Sequence, residues 1–235
     1  MNQSQFNISF QESVTLFKNL DIFKDVGKKP IGQYSSELKK ISKENRHKDF
    51  YQCAIKNLDY EIILTDDSIF QFSYNSKEVR YAYIQNPSTF ISREEYLEHF
   101  FSKEDLLQME EYELTELLKG ISDFEYEQFL NEQEMNISAN YIRYDATLQG
   151  YKPLLHSYSH IHIGNNKDLR IPSSKTITPL MFSKFAIKNS YYALWKKYYD
   201  KNSTFKNDIK IAKSKCTILP SNKWNLIEQD ELYLT

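Results

Sequence analysis

Glycine is scarce in this chain, with 5 in 235 residues. That number excludes collagen-like and glycine-rich repeat architectures. No G-x-G-x-x-G or G-x-x-x-x-G-K-[ST] phosphate loop can be written from it. Cysteine is scarcer still: Cys53 and Cys216 are the two, and they form no C-x-x-C, so a zinc ribbon or thioredoxin-type site is excluded. So few thiols fit a reducing compartment, in which both are expected to be packed. The opening stretch MNQSQFNISFQES lacks a basic region followed by an apolar one, so no secretory signal is expected. No window approaches 18 apolar residues, so the expectation is a soluble, cytoplasmic protein without a membrane segment. Arginine is rare as well. Arg46, Arg80, Arg93, Arg143 and Arg170 are all there are among 30 basic residues, and an arginine in a lysine-rich chain marks a place where a rigid, forked cation is wanted.

What is present is aromatic and charged. Tyrosine, phenylalanine and tryptophan make up 15 % of residues, and the net charge is −2. Near-neutrality argues against a wholesale nucleic-acid coat and leaves local patches open. Residues 10–25 and 33–58 read as two helices, forming a helical N-terminal lobe over 1–58. Tyr60–Tyr74 reads as two strands about Asp66–Asp67, and Glu78–Pro87 as a third strand. Ser92 with Glu95, and Ser102 with Asp105, open helices in a strongly acidic stretch, so 92–134 is expected to be a helical insertion. Strands are expected again over 138–145 and 156–164. Thr178–Pro179 then caps a helix to about Tyr199, a short helix follows near 207–215, and the tail is expected to end loosely. The economical reading is a single α+β domain over 1–235: an antiparallel sheet over 59–165 flanked by helices, with a helical segment over 166–235.

Three of the five histidines fall within seven residues: His156, His160 and His162. As a strand, 156–164 places them with Tyr158 on one face and Ile161 and Ile163 on the other. The strand before it places Tyr141, Arg143 and Asp145 on one face and Ile142 and Tyr144 on the other. Pairing the apolar faces joins Arg143 and Asp145 to the histidines. On a straight strand His160 and His162 stand roughly 6–7 Å apart, and His156 and His160 roughly 13 Å.

Three chemistries fit this pattern. Two imidazoles can act as general base and general acid at neutral pH, with Arg143 or Arg170 stabilising a phosphate-like charge. In that reading Asp145 orients one imidazole, while His156, Arg170, Tyr158 and Tyr141 bind substrate or shape the pocket. No cofactor is then expected. Alternatively His160, His162 and Asp145 hold a divalent metal in an open site. The third possibility is a cluster that serves structure or holds a partner without catalysis.

The string YIRYDATLQGYKPLLHSYSHIHIG, followed by LRIP and ITPLMF, resembles the bacterial family known as domain of unknown function 2290. In that family an R-Y-D strand precedes H-x-x-x-H-x-H-x-G and a later R-I-P. SIFQFSY and EVRYAYIQNP extend the likeness over about residues 30 to 200. It implies Arg143, Asp145, His156, His160, His162 and Arg170 as site residues, and no assigned activity. A shorter likeness, to the R-Y-D-N-A…H-H-x-H of TumE-type toxins, covers the two strands alone. Here Asp145-Ala146-Thr147 stands where that pattern has Asp-Asn-Ala. Such families imply a setting of bacterial defence or of toxin and antitoxin.

Other signals are weaker. Lysines and aromatics interleave from Lys184 to Lys215, a texture that can hold a phosphate backbone. A helix with an aromatic core side and a lysine solvent side explains it more simply. No G-x-S-x-G elbow exists for a serine hydrolase. The leading expectation is a nuclease-like effector cleaving RNA or another phosphodiester, with a protein partner from the same operon. The alternatives are a metal-dependent hydrolase and a non-catalytic binding subunit.

Overall fold

The computed structural model describes residues 1–42, 47–87, 93–136, 140–164 and 169–231. In chain order these form α1 (Gln3–Asn19), β1 (Phe23–Val26), α2 (Ser36–Ile41), α3 (His47–Lys56), β2 (Ile62–Leu64), β3 (Ile69–Tyr74) and β4 (Glu78–Ile84). Then follow α4 (Arg93–Leu97), α5 (Lys103–Gln108), α6 (Glu111–Gly120) and α7 (Asp123–Asn136). After them come β5 (Tyr141–Thr147), β6 (Ser159–Ile163), β7 (Ile171–Pro172) and β8 (Lys175–Thr176). The chain closes with α8 (Pro179–Ser190), α9 (Tyr192–Lys201), α10 (Phe205–Ser214), β9 (Thr217–Ile218) and α11 (Leu226–Glu231). The architecture is α+β, as expected. Strands β1 to β7 make one antiparallel sheet in sequential order, and β8 pairs with β9. No helix among the described residues is long and apolar enough to cross a membrane.

Contacts divide the chain into two compact units, 1–86 with 139–235, and 87–138. In the first unit, period-two alternation sends two sets of side chains to opposite faces of the sheet. Phe70, Phe72, Tyr81, Tyr83, Ile142, Tyr144 and Ile161 form the main core with Phe6, Phe10 and Phe17 of α1 and Phe182 of α8. The helix α1 presents those rings at helical spacing and is closed at its start by an Asn2–Gln5 capping box. On the opposite face a smaller core joins Ile63, Ile69, Ala82 and Ile84 to Leu38 of α2 and Tyr51, Cys53 and Ala54 of α3. That core covers only part of the face, and the remainder is polar. In the second unit α4 to α7 gather Phe100, Tyr126 and Phe129 about the Tyr96 ring, and Arg93 pairs with Asp123. The expected Ser102 cap is present, its hydroxyl accepting from the Asp105 amide at 3.1 Å. Ser92 lies outside the described residues.

Several boundaries differ from the sequence expectation. Residues 23–26 are not the end of a helix but the edge strand β1, paired with β2. Asp21 breaks the helix, at φ 58°. The long C-terminal helix is two, divided at Tyr191, whose backbone leaves helical geometry at φ −129° and ψ 54° and whose hydroxyl donates to Asp66 at 2.6 Å. The tail is tied down by β9 and α11. The lysine-rich segment follows the simpler reading for its aromatics: Trp195 and Phe205 are buried in the main core and Tyr198 packs on it. Lys184 departs from it, being buried with its ammonium 5.8 Å from the centre of the Trp195 ring.

Candidate functional site

The uncovered part of the second sheet face is the floor of a cavity of about 720 Å³. Strand register builds that floor. Arg80 of β4 pairs with Asp145 of β5, which pairs with His160 of β6; one step along, Ala82 pairs with Arg143, which pairs with His162. Directly opposed residues on one face bring their side chains within reach of each other, so a row of arginine, aspartate and histidine lies across three strands. The expected alternation on β5 and β6 is the cause: Ile142, Tyr144 and Ile161 are drawn into the main core, leaving Tyr141, Arg143, Asp145, His160 and His162 on the cavity side.

Asp145 is the hub. Arg143 Nε donates to its Oδ2 at 2.7 Å, and Arg80 Nε lies 3.6 Å from its Oδ1. His162 Nε2 and His160 Nε2 stand 3.7 and 4.0 Å from Oδ2. His160 donates from Nδ1 to the Ser157 carbonyl at 2.7 Å, so its neutral ring keeps a lone pair on Nε2, on the side of the carboxylate. His162 Nδ1 is buried and, among the described residues, has no hydrogen-bond partner.

His156 reaches the cluster by a route that differs from the expected one. It is not on the strand, which begins at Ser159. The 148–158 loop folds back so that His156 and Lys152 pair through their backbones. His156 Nδ1 donates to the Gly150 carbonyl at 2.7 Å, and Gly150 sits at φ +76°, a conformation that favours glycine. The ring centres of His156 and His160 are therefore 4.9 Å apart instead of roughly 13 Å. His160 and His162 follow at 4.8 Å, so the three imidazoles form a row.

Tyr158 does not join them. The fold-back ends the alternation before β6, its ring is buried in the main core, and its hydroxyl accepts from Lys223 Nζ at 3.2 Å. Tyr141 and the exposed Arg170 do line the cavity. Arg80 belongs to the site and was not singled out in the sequence. The signal was available: in E-V-R-Y-A-Y-I the apolar Val79, Tyr81 and Tyr83 claim one face, so Arg80 must take the other.

Charge is concentrated here. Lys39, Arg80, Arg143 and Arg170 face the cavity against Glu78 and Asp145, a local +2 in a chain of −2. Burial, with repulsion from Arg143 and His160, pushes the His162 imidazole down to about 4. Burial lowers His160 as well, against the pull of its Ser157 hydrogen bond and of Asp145. Both rings are neutral at pH 7. Asp145, His160 and His162 also offer one ligand atom each within 4.8 Å of one another, a group that can hold a metal.

These features define an α+β protein with a histidine–arginine–carboxylate cavity on an antiparallel sheet. A family model described as "Uncharacterized conserved protein (DUF2290)" matches residues 16–226, and the chain belongs to that family. No curated protein and no solved structure matches it.

Proposed function

We propose that the cavity binds a phosphodiester and that the protein cleaves RNA by acid–base catalysis. The observation that carries this reading is the row of three imidazoles beside Arg143, held on Asp145, and Arg80, which is shared between Glu78 at 3.0 Å and Asp145 at 3.6 Å. Neutral histidines supply a base, and guanidiniums supply charge for a pentavalent phosphorus. A bound phosphodiester offsets the repulsion from Arg143 and raises the proton affinity of the imidazole it touches. One of His160 and His162 then carries the acidic proton while the other, neutral, takes the proton of the ribose 2′-hydroxyl. The 2′-oxygen attacks phosphorus, and the acid protonates the departing 5′-oxygen. A 2′,3′-cyclic phosphate and a 5′-hydroxyl end result, and the two imidazoles have exchanged protonation states. Asp145 faces both imidazoles and holds Arg143, Glu78 and Asp145 together hold Arg80, and His156 and Arg170 flank the phosphate. A protein that cuts cellular RNA endangers its own cell, so the proposal includes a toxin or phage-defence setting and a neutralising partner from the same operon.

One observation favours a metal instead: His160 is oriented by a carbonyl bond from Nδ1, as metal-ligating histidines are. Against it, both Asp145 oxygens already face guanidiniums, whose charge repels a cation. Cleavage of total RNA across pH, with and without EDTA, decides between them. Acid–base cleavage gives a bell in kcat/KM that survives EDTA, with its acidic limb below the ordinary imidazole value of 6.5 because both rings are depressed. Loss with EDTA and recovery with added metal establishes the ligand reading. Absence of cleavage at every pH, with a stable complex recovered from cells, establishes a binding subunit.

A further inference from the structure

The cavity extends beyond the groups that would hold a phosphate. Away from the arginines its wall changes character, to His47, Phe50 and Tyr141 over Leu38 and Ile41. Tyr141 is the centre of this wall: its ring lies edge-on to His47 at 6.2 Å and to Phe50 at 6.1 Å between ring centres. All three rings are half-buried, set on the second core and open on one side. His47 Nε2 donates to the Gln85 carbonyl at 2.9 Å, and burial lowers its proton affinity, so the ring that lines the space is neutral. This end offers π-faces over an apolar floor, with Lys39 of α2 beside it.

The two ends meet in a single strand. Tyr141 and Arg143 are two residues apart on the same face of β5, and the guanidinium lies beside the tyrosine hydroxyl. Two strand residues span roughly 6–7 Å, so a phosphate at Arg143 and a base among the neighbouring rings are within the reach of one nucleotide. A volume of about 720 Å³ is in the range of sites for whole small molecules, roughly 300–1,000 Å³, and far exceeds what a phosphate requires. A ligand that suits both ends joins an anionic phosphate to a flat, weakly polar ring.

We propose that His47, Phe50 and Tyr141 form a nucleobase subsite, which holds the base whose own phosphate lies among Arg80, Arg143 and the histidines. The inference rests on the reading of that second end as a phosphate site and goes further by naming the base as what is recognised. Aromatic stacking is tolerant of base identity, so the subsite selects nucleotides as a class.

Calorimetric titration of the full chain with inorganic phosphate, ribose 5-phosphate, AMP and UMP tests it. The nucleotides are expected to bind about tenfold or more tightly than ribose 5-phosphate, the scale of one base–aromatic stack. Phe50→Leu keeps apolar volume and removes a ring face. It should abolish most of that preference while leaving ribose 5-phosphate affinity unchanged, with folding checked by thermal unfolding. Should that variant fail to fold, Phe50→Met takes its place with the same expectation. Equal binding of nucleotides and ribose 5-phosphate, or a preference that survives the substitution, overturns the subsite and leaves the phosphodiesterase reading standing. Nucleotide preference without any RNA cleavage supports the subsite and overturns that reading. Failure of every phosphate compound to bind overturns both.

Discussion

Replacing His160 or His162 by alanine removes an imidazole that the sheet holds within 4.8 Å of its neighbour without removing any part of the apolar core. Each substitution is expected to lower RNA cleavage by at least about a hundredfold, as loss of a general acid or base does, with far-UV circular dichroism unchanged. Full activity in both variants would refute the assignment. His162 also leaves a mark on stability. An unfolded histidine takes up its proton near 6.5, whereas this one does so near 4. Between those values the unfolded chain binds more protons. Stability through this residue is therefore lost as pH falls across the window, by about 3 kcal/mol once below it. Glu61 works in the opposite sense: burial raises its carboxyl to about 7, the folded state keeps the proton longer, and acidification from pH 7 to 4.5 favours folding through it. Urea unfolding at pH 7, 5.5 and 4 should show that His162→Asn removes the histidine part of the slope, leaving a protein more resistant to acid than the parent. The three clustered histidines, Arg143, Asp145 and Arg170 were legible as residue types on an alternating pattern. Tyr158 was misplaced because alternation presumes a strand, and its segment had not yet entered one.

Elements bring distant residues to the cavity, and here loops decide as much as strands. Gly150 allows the backbone to turn at φ +76° and aims its carbonyl at His156. A Cβ there would stand 2.7 Å from His156 Nδ1, so Gly150→Ala must push the ring out of the row. The expected result is a clear fall in cleavage with a stability loss of only about 1 kcal/mol, read from kinetics and urea unfolding on the same sample. An unchanged rate would show that His156 takes no part. Glu61 has a structural task. It accepts from the Gly32 amide, the Phe72 amide and the Tyr34 hydroxyl, fastening the segment before α2 onto the sheet. Glu61→Ala leaves the Gly32 and Phe72 amides without that acceptor, while the Tyr34 hydroxyl keeps the Phe72 carbonyl, and should cost roughly 2–4 kcal/mol, measured by denaturant unfolding at pH 8. The meander of β2, β3 and β4 was legible because β-branched and aromatic runs sit between turn residues. The edge strand β1 was not, since its four residues, Phe-Lys-Asp-Val with Phe23 alone half-buried, carry no period-two alternation.

Across the whole molecule, a net charge of −2 conceals a division. Residues 87–138 carry 14 acidic and 3 basic side chains, a net −11, which leaves the rest of the chain at +9. On the proposed reading, RNA meets the first unit, which carries the excess of cations, and its phosphates meet the cavity's arginines. Three arginines engaging phosphates give a log–log salt slope of about −2 for single-stranded RNA, and Arg80→Ala should reduce it by about 0.7. Fluorescence titrations between low and moderate salt measure both, and a slope near zero would mean that the arginines meet no phosphate. By itself the sequence determined the fold class, the alternation that separates core from cavity side chains, and the family, because period, turn chemistry and motif spacing are local properties. Only the tertiary structure decided that Arg80 joins Asp145, that a folded-back loop delivers His156, and that an aromatic wall borders the arginines. Those contacts follow from strand register and loop closure, which depend on how the main core packs against α1 and α8 rather than on any neighbour along the chain.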